Sequence, residues 1–371
     1  MRPETEAELA EIVAGATAPM AVIGGGTRGM APSGDRITTT GLSGITLYEP
    51  GALTVVAQAG TPVAEIELAL ASENQRLAFE PMDHRGLLGT SGEPTIGGVV
   101  AANVSGPRRI QCGACRDFAL GIRYVDGAGN IVKNGGRVMK NVTGYDLVKL
   151  MAGARGTLGI LSEVSLKVLP MPETETTLVV SVLDTQVAVR AMSTALGSPF
   201  DITGAAYDPV SAQALIRVEG FEPSVAYRAE HLTDLLKGFG DVCQLDGAQA
   251  SAPLWHTVRD VTEFHTAKGD VWRISVKPTD APDLSARMQA ERLLFDWGGG
   301  LIWALVPQGT DLRARLGAFD GHATIVRADE QTKDRLGLFQ PEPGPLATIS
   351  AGLRARFDPR GLLNAGVMDR R

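Results

Sequence analysis

Long apolar runs are absent from this chain of 371 residues, and so is any concentration of basic charge. No stretch approaches the roughly 18 apolar residues that a membrane-spanning helix needs. The N-terminus shows no basic segment followed by an apolar one, so we expect no signal peptide and a cytoplasmic protein. The net charge of −7 argues against a nucleic-acid partner, because no basic face is available to follow phosphates.

Cysteine is scarce as well. Cys112, Cys115 and Cys243 are too few for a disulfide framework, although the first two have the C-x-x-C spacing of a redox dithiol or of half a metal site. Neither a second pair nor a clustered histidine stands nearby, and the pair lies in a loop-like run after Pro107. We therefore expect no metal site, and a metal or dithiol function is only a third alternative.

Glycine, in contrast, is abundant, with 44 residues concentrated before residue 165. In the stretch from Gly153 to Pro170, three glycines lead into a strand where Val164, Leu166 and Val168 alternate with polar residues. This period of two predicts a strand with one buried face. Glycines just before such a strand let the backbone approach a bulky group, and we expect this group to be a bound cofactor.

A second glycine run, Gly24-Gly25-Gly26-Thr27-Arg28, follows a short predicted strand at 20–23 and formally fits the dinucleotide motif G-x-G-x-x-G. A Rossmann fold would need a helix directly after this loop and an acidic residue about 20 positions on. Pro32, Ser33 and Gly34 follow instead, and position 44 is glycine. We reject the Rossmann fold and predict a loop whose backbone amides bind phosphate beside Thr27 and Arg28.

The segment Thr95-Ile96-Gly97-Gly98 opens a predicted helix built from small residues. A helix N-terminus stripped of side chains suits an anion, so we predict a second phosphate-type site there. Two separated sites of this kind and a glycine-lined strand suit a long dinucleotide that lies extended across a domain.

The length favours two domains, and the sequence pattern changes after Pro170 and Pro172. Before that point we predict a helix over 4–14, a helix that Thr61 caps and Pro62 begins, and a helix over 143–151. After it, strands and helices follow the order β-α-β-β-α-β twice, over 176–245 and 271–327, as in ferredoxin-like units. We predict an α+β protein with domains at 1–172 and 173–345 and a turn-rich tail at 346–371 that returns toward the first domain.

Several motifs occur together in one order and spacing. They are Gly24 to Arg28, Thr95 to Gly98, Ser105-Gly106-Pro107-Arg108-Arg109, Arg116-Asp117-Phe118, residues 138–147 with the run K-N-V-T-G-Y-D-L, Gly156 to Ile160, 272–276 and 357–359. They resemble the FAD-binding (PCMH-type) domain of the vanillyl-alcohol-oxidase family, and more closely the E-subunit family of bacterial glycolate oxidases. The resemblance covers nearly the whole chain.

This resemblance implies a PCMH-type FAD-binding domain of two α+β subdomains, followed by a smaller α/β-sandwich domain. It places Gly24, Gly25, Gly26, Thr27 and Arg28 at the pyrophosphate, with Thr95, Ile96, Gly97 and Gly98 nearby. Ala102, Asn103 and Gly106 would lie along the flavin or ribityl chain, and Gly159 and Ile160 would offer backbone groups. Because the first glycine loop contains no histidine, the resemblance implies non-covalent FAD.

Catalytic residues are not evident. Oxidation of a 2-hydroxy acid calls for an arginine that holds the carboxylate and for a base that takes the hydroxyl proton. Related dehydrogenases carry a His-x-Gly-Asp-Gly-Asn-x-His segment that this chain lacks. His322 has no acidic partner in sequence, so we favour a structural role for it. Arg273 is either an anion clamp or an ordinary strand residue.

Two functional hypotheses follow from the resemblance. In the first, the chain is the FAD-binding subunit of a complex that oxidises a small 2-hydroxy acid, with glycolate as the expected substrate. A larger flavin subunit and an iron–sulfur subunit would be its partners, and any contact with the inner face of the cell membrane would be peripheral and run through them. In the second, the chain is an assembly module whose FAD is structural or relays electrons while a partner oxidises the substrate.

Overall fold

The structure is a computed structural model that describes residues 1–29, 32–138 and 144–368. Much of the K-N-V-T-G-Y-D-L run, and the expected helix start at Thr143, lie outside the described residues. The helices are α1 (Glu6–Gly15), α2 (Val63–Ala71), α3 (Arg85–Leu88), α4 (Ile96–Ala102), α5 (Arg109–Cys112), α6 (Cys115–Phe118), α7 (Leu147–Met151), α8 (Thr185–Leu196), α9 (Glu222–Leu236), α10 (Ala248–Asp260), α11 (Ala281–Met288), α12 (Leu312–Leu316), α13 (Glu330–Leu336) and α14 (Gly344–Phe357).

The strands are β1 (Met20–Ile23), β2 (Asp35–Thr38), β3 (Ile45–Glu49), β4 (Thr54–Gln58), β5 (Gln75–Arg76), β6 (Ala119–Val125), β7 (Ile131–Gly135), β8 (Ile160–Lys167), β9 (Leu169–Pro170), β10 (Thr174–Ser181), β11 (Gly204–Asp208), β12 (Gln213–Gly220), β13 (Val242–Asp246), β14 (Asp270–Val276), β15 (Arg292–Asp296), β16 (Leu301–Val306) and β17 (Gly321–Arg327). No helix in the described ranges combines the length and the hydropathy that a membrane span requires.

These elements form two compact units. The first contains residues 1–105, 114–171 and the chain from 341 onward, and the second contains 106–113 and 172–340. The main division thus falls next to the boundary expected after residue 172. The grouping of 106–113 with the second unit is a feature that the sequence pattern does not reveal.

The first unit contains a five-stranded antiparallel sheet in the order β3-β4-β8-β6-β7. Its central strand β8 is the alternating segment that predicts one buried face. That expectation is wrong in detail, because Leu161 and Ser165, on the face opposite to Val164 and Leu166, are buried as well. Both faces of β8 are therefore covered at these positions, so a polar residue such as Ser165 is inaccessible to water there.

A small parallel sheet of β1 and β2 completes the first unit, and the C-terminal tail extends it. The amide of Met20 donates to the carbonyl of Leu362 at 2.7 Å, and the amide of Asn364 donates to the carbonyl of Met20 at 3.0 Å. Leu362 and Leu363 are buried with Leu9 and other side chains of α1 and β1. Each such leucine contributes about 1.5–3 kcal/mol of burial free energy, so the tail is part of this core.

The second unit is built on one eight-stranded antiparallel sheet in the order β13-β10-β12-β11-β15-β16-β14-β17. The first four and the last four strands each form a ferredoxin-like β-α-β-β-α-β half, so this prediction is confirmed. The two halves of the sheet meet where β11 pairs with β15 at Tyr207 and Phe295.

Alternating side chains divide the second unit's sheet into two faces. Leu178 and Ile216 belong to the large core beneath α8, α9, α11 and α12, whereas their neighbours Val179 and Leu215 pack with Trp255 of α10 on the other face. The helix α10 was not predicted, because Pro253 in its middle interrupts the pattern typical of a helix.

Three helix predictions for the first unit and its tail need correction. Pro62 is the N-cap of α2 rather than its first residue, and the Thr61 hydroxyl donates to the Gln58 carbonyl at 2.7 Å instead of capping the helix. The helix expected from residue 143 is described from Leu147, where Asp146 caps it. The expected turn-rich tail contains α14, whose internal Gly352 weakens the helical pattern in the sequence.

Candidate functional site

The first glycine loop, Gly24 to Gly26, packs against the segment that precedes α4. A Cβ on Gly25 would lie 1.7 Å from the Glu93 carbonyl oxygen, and one on Gly24 would lie 2.3 Å from Oγ1 of Thr95. Gly26 has a φ of +75°, in the left-handed region that favours glycine. These glycines therefore let two segments of backbone meet, and the loop reverses at Gly26.

The start of α4 differs from the anion site that its sequence predicts. The amides of Ile96 and Gly97 donate to the carbonyls of Thr61 and Ala59 at 3.0 and 2.8 Å. The amide of Gly98 donates to the Thr95 hydroxyl at 3.4 Å. These three amides are satisfied within the protein, so a phosphate at this end of α4 would have to be bound by other groups, and the anion site expected here stays a prediction.

A cleft of about 770 Å³, including its open mouth, lies among these segments. It is lined by the predicted residues Gly24, Gly25, Gly26, Thr27, Arg28, Thr95, Gly97, Gly98, Ala102, Gly159 and Ile160. The structure therefore brings together three segments that are far apart in sequence.

Three predicted residues do not line the cleft. Ile96 is fully buried in the core, and Asn103 ends α4 in a left-handed conformation, where its Oδ1 accepts from the amide of Arg116 at 2.9 Å. Gly106 belongs to the second unit, and its carbonyl accepts a hydrogen bond from Trp297 Nε1 at 3.1 Å. Their contacts in this structure are with protein groups.

Two arginines of the cleft, Arg28 and Arg155, carry its positive charge. Burial, and then the charge of Arg155, lower the pKa of Arg28 to about 10, while burial lowers the pKa of Arg155 to about 10. The Nε of Arg28 is buried without a hydrogen-bond partner among the described residues. A buried donor of this kind is costly unless a ligand accepts from it, and an anion would also relieve the repulsion between the two cations.

His84 lies close enough to these arginines to be affected by their charge. Burial lowers its pKa to about 3, with further contributions from Arg28 and Arg155, so the ring is neutral. Its Nδ1 is 3.2 Å from the Met82 carbonyl and donates to it in the tautomer that this contact favours. The neighbouring Asp83 binds Arg85 at 2.8 Å.

Asn364 is a cleft residue that the sequence did not single out. Its Oδ1 accepts from the amide of Val22 at 2.6 Å, and its Nδ2 donates to the carbonyls of Val22 and Arg155 at 3.2 and 2.8 Å. The side chain thus joins the end of β1 to the loop before β8. The one sequence feature that points to Asn364 is its place in the turn-rich tail.

Arg155 was also missed, although it stands within the run Gly153 to Gly159. Its φ of +53° is unusual for a residue with a side chain, and Gly153 and Gly156 beside it are left-handed too. An arginine held between two such glycines could have been recognised as a candidate anion ligand. The remaining unpredicted cleft residues are Val22, Ile23, Thr39, Ala59, Ala101, Gly156 and Leu161.

The two cysteines of the C-x-x-C pair differ in exposure, since Cys115 is buried and Cys112 is half-buried. Burial raises the pKa of Cys115 to about 12, so this thiol is not a reactive thiolate at neutral pH. Neither cysteine is joined in a disulfide. Within the described ranges, no group of three or more histidine, cysteine and acidic residues could hold a metal ion.

Comparison with known proteins identifies the family. Residues 1–135 match a model described as an FAD binding domain. The chain is 37% identical to glycolate oxidase subunit GlcE of Escherichia coli (strain K12) over 327 residues, which are 88% of this chain and 84% of that protein. The chain belongs to the GlcE family of glycolate oxidase subunits. It is accordingly an FAD-dependent oxidoreductase subunit, and FAD is its cofactor.

Other relatives of this chain share a shorter part of it. Glycolate oxidase subunit GlcD of Bacillus subtilis (strain 168) is 39% identical over 27% of this chain and 21% of its own length. A D-lactate dehydrogenase of Anaerostipes hadrus is 36% identical over 40% of this chain and 29% of its own length. An alkyldihydroxyacetonephosphate synthase structure superposes with a TM-score of 0.72 at 16% identity and covers 98% of this chain and 76% of that one, so it shares the fold.

The residues of the cleft fit FAD. The orphaned Nε of Arg28 and the charge of Arg155 suit the two negative charges of a diphosphate. Apolar side chains such as Val22, Ile160 and Leu161 suit a flavin ring, and the polar side chain of Thr39 suits a ribityl or ribose hydroxyl. The cleft thus combines charge, polar groups and apolar surface in one space.

Proposed function

We propose that this chain holds FAD non-covalently in the cleft of its first unit and serves as the flavin-bearing GlcE-type component of an oxidase that acts on glycolate or a similar small 2-hydroxy acid. The observation that carries the proposal is the similarity to glycolate oxidase subunit GlcE along most of both chains. The non-covalent state is inferred from the glycine loop, where no histidine is available as an attachment point.

The cleft residues have different roles in holding FAD. Arg28 and Arg155 offset the charge of the diphosphate, and Asn364 holds β1 and the loop before β8 together. The apolar residues Val22, Ile160 and Leu161 exclude water from part of the cleft. Bound FAD supplies the acceptor for the two electrons that a 2-hydroxy acid loses when it becomes a 2-oxo acid.

A second candidate function has specific support. Among the described residues that line the cleft there is no histidine, lysine, aspartate, glutamate or cysteine. A base for the hydroxyl proton is therefore not provided by the cleft walls described. This favours an alternative in which a larger flavin subunit oxidises the substrate, while the FAD of this chain is structural or relays the electrons toward an iron–sulfur subunit.

Flavin reduction by glycolate separates the two candidates. The purified full chain should be yellow, and acid precipitation should release the colour into the supernatant. We expect added glycolate to bleach the flavin of the isolated chain if this chain oxidises the substrate. Bleaching only in the presence of the partner subunits would instead establish the relay function. A colourless chain that takes up no added FAD would contradict both candidates.

A further inference from the structure

The segment 106–113 is fixed to the sheet of the second unit by buried polar contacts. Arg108 donates two hydrogen bonds to the Glu219 carboxylate, at 2.8 Å from both Nε and Nη2, and the Glu219 side chain is only 3% exposed. Trp297 Nε1 donates to the Gly106 carbonyl at 3.1 Å. A bidentate pair of this kind orients its backbone strongly, so the position of the next residue, Arg109, is well defined.

Trp297 itself is held in a strained conformation. Its φ is +54°, a left-handed value that is unfavourable for a bulky residue. The Asp296 carboxylate accepts from its amide at 2.7 Å, and Gly298 and Gly299 continue the turn with positive φ. Strain of this kind persists where the surrounding structure fixes a side chain for use, and here it presents an indole ring.

Two guanidinium groups lie against this one indole. The Cζ of Arg109 is 4.5 Å from the ring centroid of Trp297, and the Cζ of Arg273 is 5.0 Å from it. Each contact between a guanidinium and the ring is favourable, but the two cations are brought into the same neighbourhood. A ligand with negative charge would benefit from both.

The strand register adds a histidine to this neighbourhood. Arg273 of β14 pairs with Thr324 of β17, and Ser275 pairs with His322, so Arg273 and His322 are diagonal neighbours on one face of the sheet. Burial, then Arg273, then Arg109 lower the pKa of His322, so its ring is neutral at neutral pH and keeps one nitrogen as an acceptor. The face is opposite to the one that Trp272 and Ile274 bury in the main core.

These groups match the two functional groups of a 2-hydroxy acid. A planar carboxylate suits guanidinium donors, and an apolar ring beneath it leaves those donors poorly hydrated. The hydroxyl on the adjacent carbon needs an acceptor, which the neutral ring of His322 offers. An inorganic phosphate or sulfate would use the arginines and the imidazole N–H, but it would leave the acceptor nitrogen of His322 without a partner.

We propose that Arg109 and Arg273, which lie against the indole of Trp297, and His322, the diagonal neighbour of Arg273, bind a small 2-hydroxy carboxylate in the second unit. The arginines hold the carboxylate, and His322 accepts a hydrogen bond from the hydroxyl. The choice of a 2-hydroxy acid rests on the proposed function, whereas the site itself rests on these four side chains. It also gives His322, for which we favoured a structural role from sequence, a place in binding.

Calorimetric titration of the FAD-loaded full chain with glycolate tests the site. We expect measurable binding, weakened about tenfold or more in Arg273→Gln and in Arg109→Gln, because each loses a charge-assisted contact. Arg190→Gln is the matched control, since Arg190 lies over the Phe239 ring of the same unit with its Cζ 5.8 Å from the centroid. Equal affinities in the wild type and both arginine variants, or no glycolate binding at all, would overturn the proposal.

A second titration with acetate, which lacks the hydroxyl, tests His322. The wild type should prefer glycolate to acetate, and His322→Gln should reduce this preference severalfold while the affinity for acetate changes little. An unchanged preference would remove His322 from the site. Glycolate should also alter the tryptophan fluorescence of the wild type, and this change should disappear in Trp297→Phe.

Flavin content and flavin bleaching keep this proposal separate from the proposed function. If the chain holds FAD and glycolate bleaches it equally in the wild type and in Arg273→Gln, the proposed function stands and this site is wrong. If glycolate binds with the expected losses in the variants but bleaches no flavin, this site stands and substrate oxidation belongs to another subunit.

Discussion

Each of the two units contains two arginines and one histidine that share a neighbourhood, yet the surroundings differ. In the first unit Arg28 and Arg155 line a cleft of glycines and backbone, and their charge reaches His84. In the second unit, Arg109 and Arg273 lie against the indole of Trp297. The first arrangement suits an extended diphosphate, which needs a narrow polar wall, and the second suits a small planar anion.

The two clusters thus place the same residue types, arginine and histidine, in different surroundings. In both clusters the histidine has a lowered pKa, with burial as the largest cause and neighbouring arginines as contributors. His84 is turned toward a backbone carbonyl, whereas His322 stands on an outer strand. The following variants should affect one cluster and spare the other.

The largest effect is expected from Gly97→Val. Its Cβ would lie 2.5 Å from the Ala59 Cβ and 2.7 Å from the Ala59 carbonyl oxygen, so the backbone at the end of β4 must shift. We expect loss of bound flavin and destabilisation by about 1–3 kcal/mol or more. The ratio of flavin to protein absorbance after gel filtration and the thermal melting curve measure both effects.

Gly98→Ala is the matched control for that substitution. A Cβ at Gly98 would lie 2.9 Å from the Nη1 of Arg28, the flexible tip of a side chain that can move aside. This variant should keep its stability and lose flavin affinity only in part. Full flavin retention in Gly97→Val would show that the packing of α4 against β4 does not support the cleft.

Asn364→Gly should have the next largest effect. Glycine keeps the left-handed backbone at this position, where φ is +45°, but removes the amide that bonds to Val22 and Arg155. Unsatisfied buried groups cost about 1–3 kcal/mol, so we expect lower stability and weaker FAD binding. Urea denaturation and FAD titration measure these changes, with Asn130→Gly in an exposed hairpin as the control. Unaltered FAD affinity would mean that the tail does not support the cleft.

Acidification should reveal the neutral His84. Its pKa is about 3 in the folded chain, against 6.5 ordinarily, so the unfolded chain takes up a proton that the folded chain does not as the pH falls from about 6.5 toward 3. The free energy of unfolding should therefore decrease on acidification, by at most about 1.4 kcal/mol per pH unit from this group. Urea denaturation at neutral and mildly acidic pH should show a smaller decrease in His84→Gln than in the wild type.

His256→Gln, in the exposed part of α10, is the control for the acid experiment. The free energy of unfolding of this variant should change with pH as that of the wild type does over the same range. If His84→Gln loses stability on acidification as steeply as the wild type, the imidazole of His84 is not the group that resists protonation.

The smallest effect is expected from Cys112→Ser. The Sγ of Cys112 makes a long contact of 3.5 Å to the Gly113 carbonyl, and a hydroxyl can replace it. Flavin content and glycolate affinity should both be unchanged, and stability should change by no more than about 0.5 kcal/mol. Loss of flavin, or a dependence on reducing agent, would revive the dithiol alternative.

The sequence predicts the second unit's sheet well because its signal is local. Strands such as β10 and β12 are eight residues long and buried over six consecutive positions, and each strand is separated from the next by a helix or a turn. The split β-α-β-β-α-β order then follows without knowledge of tertiary contacts. Two α-helices within residues 172–340 lie outside the predicted pattern, namely α10 with its internal Pro253 and α13 after β17.

The cleft is less predictable because its contacts join distant residues. The side chain of Asn364 is hydrogen-bonded to Val22, 342 positions away in the sequence. In the same way, Arg108 is hydrogen-bonded to Glu219, 111 positions away, and this bond holds the segment 106–113 on the second unit. The glycine motifs do lie at the cleft, but for a different reason than expected. Gly25 and Gly97 make room for neighbouring protein segments, and Arg28 and Arg155 provide the unusual electrostatics.

The relative affinity of the apoprotein for FAD and for riboflavin tests most directly whether Arg28 and Arg155 hold the diphosphate. The wild type should bind FAD at least about a hundredfold more tightly than riboflavin, because only FAD carries the charges that these arginines contact. In the double variant Arg28→Gln, Arg155→Gln the affinity for FAD should fall toward that for riboflavin, while riboflavin binding is retained as evidence of an intact cleft. An unchanged ratio of the two affinities in the double variant would contradict the assignment of this cleft to FAD.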